Sequence, residues 1–118
     1  MSGREFTRVN YLARASIQYD NTLITGHTEN LCLRGLFIET INDVPLNIPV
    51  NVSVDYRSSH SFFNFNAKVV RKTANGVGLQ ISKLNADSFV RLRDIVVENC
   101  VEPGKVMQET FKMLKCIY

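Results

Sequence analysis

The sequence is poor in cysteine and contains no cysteine pair at metal-ligand spacing. Its three cysteines are Cys32, Cys100 and Cys116, an odd number without a Cys-x-x-Cys motif, which argues against a disulfide framework and a zinc ribbon. His27 and His60 lie far apart and lack the neighbours typical of a zinc site. No Gly-x-Ser-x-Gly or comparable nucleophile motif occurs. We therefore predict reduced thiols, no metal, no cofactor and no enzymatic activity.

Long apolar runs are missing as well. No stretch approaches the length of a membrane-spanning helix, and the first five residues lack the apolar centre of a secretory signal. The formal net charge is only +3, from 14 lysines and arginines against 11 aspartates and glutamates. Proteins that bind long nucleic acid through its phosphates are usually much more basic. We expect a cytoplasmic protein without membrane insertion, whose charge suits a small anionic ligand better than long nucleic acid.

The sequence does contain a series of segments in which apolar and polar residues alternate. From residue 9 to residue 19, every odd position is apolar and every even one except Leu12 is polar, which is the period of a half-buried strand. Further strands are predicted over residues 22–28, 36–40, 50–56, 63–69 and 77–81, with a polar turn over residues 57–61. In a chain of 118 residues, these strands predict one small six-stranded antiparallel β-barrel, with a two-sheet sandwich as the alternative.

The C-terminal part of the sequence changes to a helical period. One apolar face is formed by Phe89, Leu92, Val96 and Cys100, with Asn85, Asp87 or Ser88 as the N-cap. After Pro103, a second stripe is formed by Val106, Met107, Phe111, Leu114 and Ile117. We expect residues 1–100 to form the barrel with its first helix, and residues 101–118 to be a helical extension that packs on the same domain. A homodimer contact or a docked partner is the alternative for this stripe.

Two polar motifs flank the first two predicted strands. The sequence Arg4-Glu5-Phe6-Thr7-Arg8 precedes the first strand, and Asn30-Leu31-Cys32-Leu33-Arg34-Gly35 follows the second. In order and spacing they resemble the signature of the PilZ family, which is R-x-x-x-R followed by [DN]-x-S-x-x-G, with cysteine here in place of serine. Residues 35–38, 67–71 and 76–81 resemble later strands of the family, so the resemblance covers residues 4 to 100.

The resemblance implies a bacterial receptor for the second messenger cyclic di-GMP, with a PilZ-type barrel. The predicted ligand-binding residues are Arg4, Arg8, Asn30, Cys32 and Gly35, with Arg34, Arg71 and Gly78 as additional candidates. Arginine suits this ligand because its planar guanidinium donates paired hydrogen bonds to a phosphate or to the O6/N7 edge of guanine. A thiol is a weaker hydrogen-bond partner than a hydroxyl, so Cys32 is expected to weaken binding by about tenfold or less.

The expected mechanism is coupled ordering. Ligand draws the Arg4–Arg8 segment onto the barrel near residues 30–35, and an unidentified downstream protein or a second protomer reads the changed surface. One alternative is a PilZ-like adaptor that has lost nucleotide binding and acts through protein contacts, for which Cys32 is the main evidence. Another is a single-stranded nucleic-acid binder that stacks bases on Phe62, Phe63 and Phe65. Alternation favours the core for the last two of these rings.

Overall fold

Six strands form a closed antiparallel barrel in the computed structural model, which describes residues 6–118. The strands are β1 (Val9–Tyr19), β2 (Thr22–Leu31), β3 (Gly35–Glu39), β4 (Pro49–Tyr56), β5 (Ser58–Thr73) and β6 (Gly76–Lys83). Their order around the barrel is β1-β2-β3-β6-β5-β4, and each neighbouring pair is antiparallel. The predicted barrel is confirmed, and the sandwich alternative is wrong. Closure gives every strand a hydrogen-bonded neighbour on both sides.

Alternation places one side of each strand in the barrel interior. Val52 and Val54 of β4 are fully buried, and so are Phe63 and Phe65 of β5, whose ring centroids lie 6.2 Å apart. Each phenylalanine buried in this way stabilises the fold by roughly 1.5–3 kcal/mol. Phe62, by contrast, is 52% exposed. Because two of the three rings belong to the core, the three phenylalanines cannot act together as a base-stacking platform.

The turn between β4 and β5 is much tighter than the sequence predicts. The polar turn predicted over residues 57–61 is partly wrong: only Arg57, at a positive φ of 64°, lies outside the strands. Residues 59–61 form an irregularity in β5, because the pairing with β4 shifts from Asp55–Phe62 to Tyr56–Ser58. The Tyr11 hydroxyl donates to the carbonyl oxygen of Asp55 (2.8 Å) and accepts from the Arg57 N–H (3.1 Å). This side chain fixes the reversal, so β5 begins at once with Ser58. Strand β2 also runs beyond its predicted end, to Leu31.

The first helix, α1 (Ala86–Asn99), follows the prediction. Asn85 is its N-cap, and its side-chain oxygen accepts a hydrogen bond from the Ser88 N–H at 2.8 Å. Such a cap stabilises a helix by about 1 kcal/mol. Phe89, Leu92 and Val96 are buried as expected, and α1 packs against β5 and β1.

The second helix, α2 (Pro103–Lys112), and a 3-10 turn (Leu114–Cys116) complete the fold. The prediction that the apolar stripe packs on the barrel is largely wrong, because Met107, Phe111 and Leu114 are exposed. Of the stripe, only Val106 is fully buried, and Ile117 is half-buried. The side chains that face the protein are Val106, Glu109, Met113 and Cys116. The helical period ends at Lys112, and two backbone hydrogen bonds then tie the chain end to Leu84, from Leu84 N–H to Cys116 O (2.9 Å) and from Tyr118 N–H to Leu84 O (3.1 Å). Neither helix in residues 6–118 has the length and apolar character needed to cross a bilayer.

Candidate functional site

A row of residues across four adjacent strands forms the base of the candidate site. Asn30 of β2 pairs with Phe37 of β3, Phe37 pairs with Gly78 of β6, and Gly78 pairs with Arg71 of β5. All four line one open pocket on the outside of the barrel. Strand pairing therefore brings together three predicted site residues that are far apart in the sequence.

The position of Arg71 depends on a β-bulge. The register of β5 against β6 shifts between Val69, which is buried opposite Leu79, and Arg71, which lies opposite Gly78. Strict alternation would send side chains 69 and 71 to the same face of the sheet. The extra residue, Val70, changes the direction of the strand. As a result Arg71 faces the pocket rather than the core.

Gly78 gives the Arg71 side chain a path across the sheet. A Cβ at position 78 would lie 3.3 Å from Arg71 Nε, so the arginine passes directly over the glycine. It then reaches the Phe37 ring, with 5.6 Å between Cζ and the ring centroid, a cation–π distance. The guanidinium is thus held at the pocket with its donors available at its edge.

The loop between β2 and β3 supplies the second part of the site. Cys32 N–H donates to the Gly35 carbonyl oxygen at 2.9 Å, and Ile81 N–H donates to the Arg34 carbonyl oxygen at 2.7 Å. Gly35 is required by a close approach, because a Cβ there would lie 2.2 Å from the carbonyl oxygen of Leu79. These contacts fix the loop against β6, with Cys32, Arg34 and Gly35 all lining the pocket.

Cys32 is half-buried at the pocket. Burial raises the pKa of its thiol, against smaller opposing effects from backbone hydrogen bonds at Arg34 and Gly35 and from the positive charge of Arg8; Glu109 adds a small upward effect. The thiol is therefore protonated near neutral pH, in line with its interpretation as an inert, serine-replacing residue.

The N-terminal segment enters the site through Phe6 and Arg8, which both line the pocket. Thr7, between them, hydrogen-bonds through its N–H and its hydroxyl to the Glu109 carboxylate of α2, at 2.8 and 2.6 Å. The other predicted arginine of this motif, Arg4, lies outside the described residues.

The pocket has a volume of ≈ 230 Å³. Seven of the eight predicted site residues line it, namely Arg8, Asn30, Cys32, Arg34, Gly35, Arg71 and Gly78. Sequence reasoning missed Phe6, Phe37 and Gln80, which also line it. Phe37 and Gln80 were detectable in principle, because their pairing with Gly78 and Gly35 follows once the order of β3 and β6 is known.

Comparison with known proteins identifies the family. A model of the PilZ domain matches residues 2–98. The chain belongs to the PilZ domain family. This family consists of cyclic di-GMP receptors and adaptors rather than enzymes. No curated protein matches the sequence.

Solved structures share the PilZ fold at low sequence identity. The Bacillus subtilis inhibitor of motility, MotI/DgrA, has a TM-score of 0.69 at 14% identity, over 83% of this chain and 51% of that one. The chain thus spans about half the length of MotI/DgrA. The PilZ domain of YcgR from Escherichia coli, solved with c-di-GMP, has a TM-score of 0.66 at 12% identity, over 96% of this chain and 100% of that one. The PilZ domain of CeSA from a cellulose-synthesizing bacterium has a TM-score of 0.61 at 15% identity, over 77% of this chain and 95% of that one.

Proposed function

We propose that this PilZ domain is a receptor for cyclic di-GMP and that the pocket of Arg8, Asn30 and Arg71 binds the ligand. The observation that carries the proposal is the charge of this pocket. Among the described residues that line it, three are arginines (Arg8, Arg34 and Arg71) and none is acidic. Cyclic di-GMP brings two phosphates and two guanines, and a guanidinium donates paired hydrogen bonds to either group.

The neighbouring side chains suit a nucleobase. Asn30 carries an amide donor and a carbonyl acceptor for a base edge, and it lies beside Phe37 in the cross-strand row. Arg71 is held over that same ring, where a base can stack on the guanidinium plane or accept hydrogen bonds from its N–H edge. Cys32 contributes little to binding because a thiol is a weak donor.

The size of the pocket indicates that the ligand is only partly enclosed. Sites that enclose a drug-sized ligand measure roughly 300–1,000 Å³, and this pocket measures ≈ 230 Å³. A neighbouring groove of ≈ 830 Å³ shares Phe6, Arg34 and Gln80 with it. In our proposal one guanine and its phosphate occupy the pocket, and the rest of the ligand lies along the groove. Ligand binding adds contacts with the Arg4–Arg8 motif, whose Arg8 already lines the pocket, and a protein partner reads the new surface.

Isothermal titration with cyclic di-GMP tests the proposal. We expect saturable binding by the wild-type protein, no binding of GTP, and a loss of at least about tenfold in affinity for Arg8→Ala, since one bidentate arginine–guanine contact contributes about 1–3 kcal/mol. Arg14→Ala is the matched control, because Arg14 is an exposed arginine that lines a different pocket. Absence of heat at high ligand concentration, or equal losses in both variants, contradicts the proposal.

One observation favours a second candidate function. Cys32 stands where the family signature has serine, and its half-buried, protonated thiol is a weaker hydrogen-bond partner than a hydroxyl. A PilZ adaptor that acts through protein contacts without nucleotide would tolerate this change. Failure of the wild-type protein to bind cyclic di-GMP, together with failure of Cys32→Ser, would favour that function.

A further inference from the structure

The C-terminal helix is clamped to the N-terminal arginine motif. Both oxygens of the Glu109 carboxylate accept hydrogen bonds from Thr7, one from its N–H at 2.8 Å and one from its hydroxyl at 2.6 Å. Glu109 is only 7% exposed, and carboxylates are rarely buried unless they are paired. Hydrogen bonds to a carboxylate are stronger than those between neutral groups. The buried carboxylate therefore joins two segments that lie 102 positions apart in the sequence.

A second contact from the same helix reinforces the clamp. Lys112 lies one turn beyond Glu109, and its Nζ is 5.6 Å from the centroid of the Phe6 ring, within the range of a cation–π contact. The helix itself is anchored, because Val106 and Met113 are fully buried in the core. The two residues that precede Arg8 are thus held by an element that is fixed to the barrel.

We propose that Glu109 is a positioning residue for the ligand site: α2 holds Phe6 and Thr7 against the barrel, so that Arg8 faces the pocket before the nucleotide arrives. This inference rests on the proposed function and adds a device that the family signature does not include. The conformational entropy lost when the backbone of one residue is fixed corresponds to a change of roughly tenfold in an equilibrium constant. Release of Thr7 should therefore weaken cyclic di-GMP binding by about tenfold. Because coupling is reciprocal, the ligand should tighten the docking of α2 by the same factor.

Three variants test the clamp. Glu109→Ala removes both acceptors, and Thr7→Val removes the hydroxyl without altering any residue of α2. The double variant completes a double-mutant cycle. If Thr7 and Glu109 act through each other, the double variant loses less binding free energy than the sum of the losses in the two single variants. Glu102→Ala is the matched control, because Glu102 is an exposed glutamate at the start of the same helix whose recorded partner is Lys105.

Two readouts are needed. The first is amide hydrogen exchange of residues 6–8 in the ligand-free protein, which should be faster in Glu109→Ala and unchanged in Glu102→Ala. The second is the Kd for cyclic di-GMP by titration, expected to rise about tenfold for Glu109→Ala and about threefold for Thr7→Val. Unchanged exchange and unchanged Kd in Glu109→Ala would overturn the inference, and so would additive losses in the double variant.

The two readouts also separate this inference from the proposed function. If the wild-type protein does not bind cyclic di-GMP, the proposed function fails, and the role of Glu109 in setting affinity fails with it. Exchange at residues 6–8 still decides whether Glu109 holds the segment. If the wild-type protein binds and Glu109→Ala binds equally well, the function stands and the positioning role is overturned.

Discussion

Replacement of Cys32 by serine should make the ligand-free protein less stable and its binding of cyclic di-GMP tighter. The side chain lies at the start of the turn that Cys32 N–H closes on the Gly35 carbonyl oxygen, and it lines the pocket. The side chain is half-buried, and this burial raises the pKa of the thiol. The backbone N–H groups of Arg34 and Gly35 can donate to a hydroxyl oxygen there, but the hydroxyl proton needs an acceptor, which a bound ligand would offer.

The expected magnitudes follow from hydrogen-bond energetics. A buried hydroxyl proton left without an acceptor costs about 1–3 kcal/mol. Taking the low end for a half-buried site, the free energy of unfolding of Cys32→Ser should fall by about 1 kcal/mol, a decrease of about 4 °C in Tm. Once a ligand oxygen or nitrogen meets the hydroxyl, a neutral hydrogen bond contributes about 0.5–1.5 kcal/mol, which corresponds to about twofold to tenfold in Kd.

Titration calorimetry and thermal unfolding, each with and without cyclic di-GMP, measure both effects. Cys32→Ala is the control, because it removes the thiol without adding a hydroxyl and should bind no better than wild type. The reasoning is refuted if Cys32→Ser binds no more tightly than Cys32→Ala, because the side chain then does not face the ligand. Saturating ligand should also raise the Tm of Cys32→Ser by more than that of wild type, since stabilisation grows with affinity.

Three further predictions concern the same site. Gly35→Ala places a Cβ 2.2 Å from the backbone oxygen of Leu79, so chemical denaturation should show a loss of about 3 kcal/mol or more in unfolding free energy; a wild-type midpoint would contradict this. Gly78→Ala places a Cβ 3.3 Å from both Cβ and Nε of Arg71; a shift of a few tenths of an ångström relieves this contact, so Tm should fall little while the displaced guanidinium lowers cyclic di-GMP affinity about tenfold. Unchanged affinity would remove Arg71 from the site. Burial raises the pKa of Cys32, so its thiolate fraction should rise only at a higher pH than that of an exposed thiol. Alkylation by iodoacetamide, measured by peptide mass spectrometry, should follow the same pH dependence. Ordinary reactivity at pH 8 would show that the thiol is not desolvated.

The barrel could be predicted from the sequence because its strands follow one simple rule. Each strand buries one face, so alternation locates it, and the predicted limits of β1 agree with the structure. Alternation fails where a bulge intervenes. It would place Arg71 on the same inner face as Val69, whereas the bulge at Val70 turns Arg71 outward. Only the likeness of this segment to a family strand suggested Arg71 as a site residue, because a bulge leaves little trace in a single sequence.

The second helix shows a different limit of sequence reasoning. Its apolar stripe suggested that Phe111 and Leu114 would be buried, yet these side chains are 70% and 57% exposed. One of the buried positions belongs instead to Glu109, a residue type that periodicity assigns to the surface. Its partner, Thr7, is at the other end of the chain, and no local pattern reports a contact at that separation. Contacts of this kind become visible only once the fold brings both ends together.

Charge, finally, has to be judged locally in this protein. The whole chain carries 14 basic and 11 acidic side chains, which by itself says little about any ligand. Charges separated by more than about 10 Å are largely screened at 0.1 M salt, so a bound phosphate responds to the pocket rather than to the total. There, Arg8, Arg34 and Arg71 face one opening. Three cations gathered at one pocket match a compact anion with two phosphates, whereas long nucleic acid requires a track of cations along the surface. The arrangement is therefore consistent with the small cyclic nucleotide that we propose as the ligand.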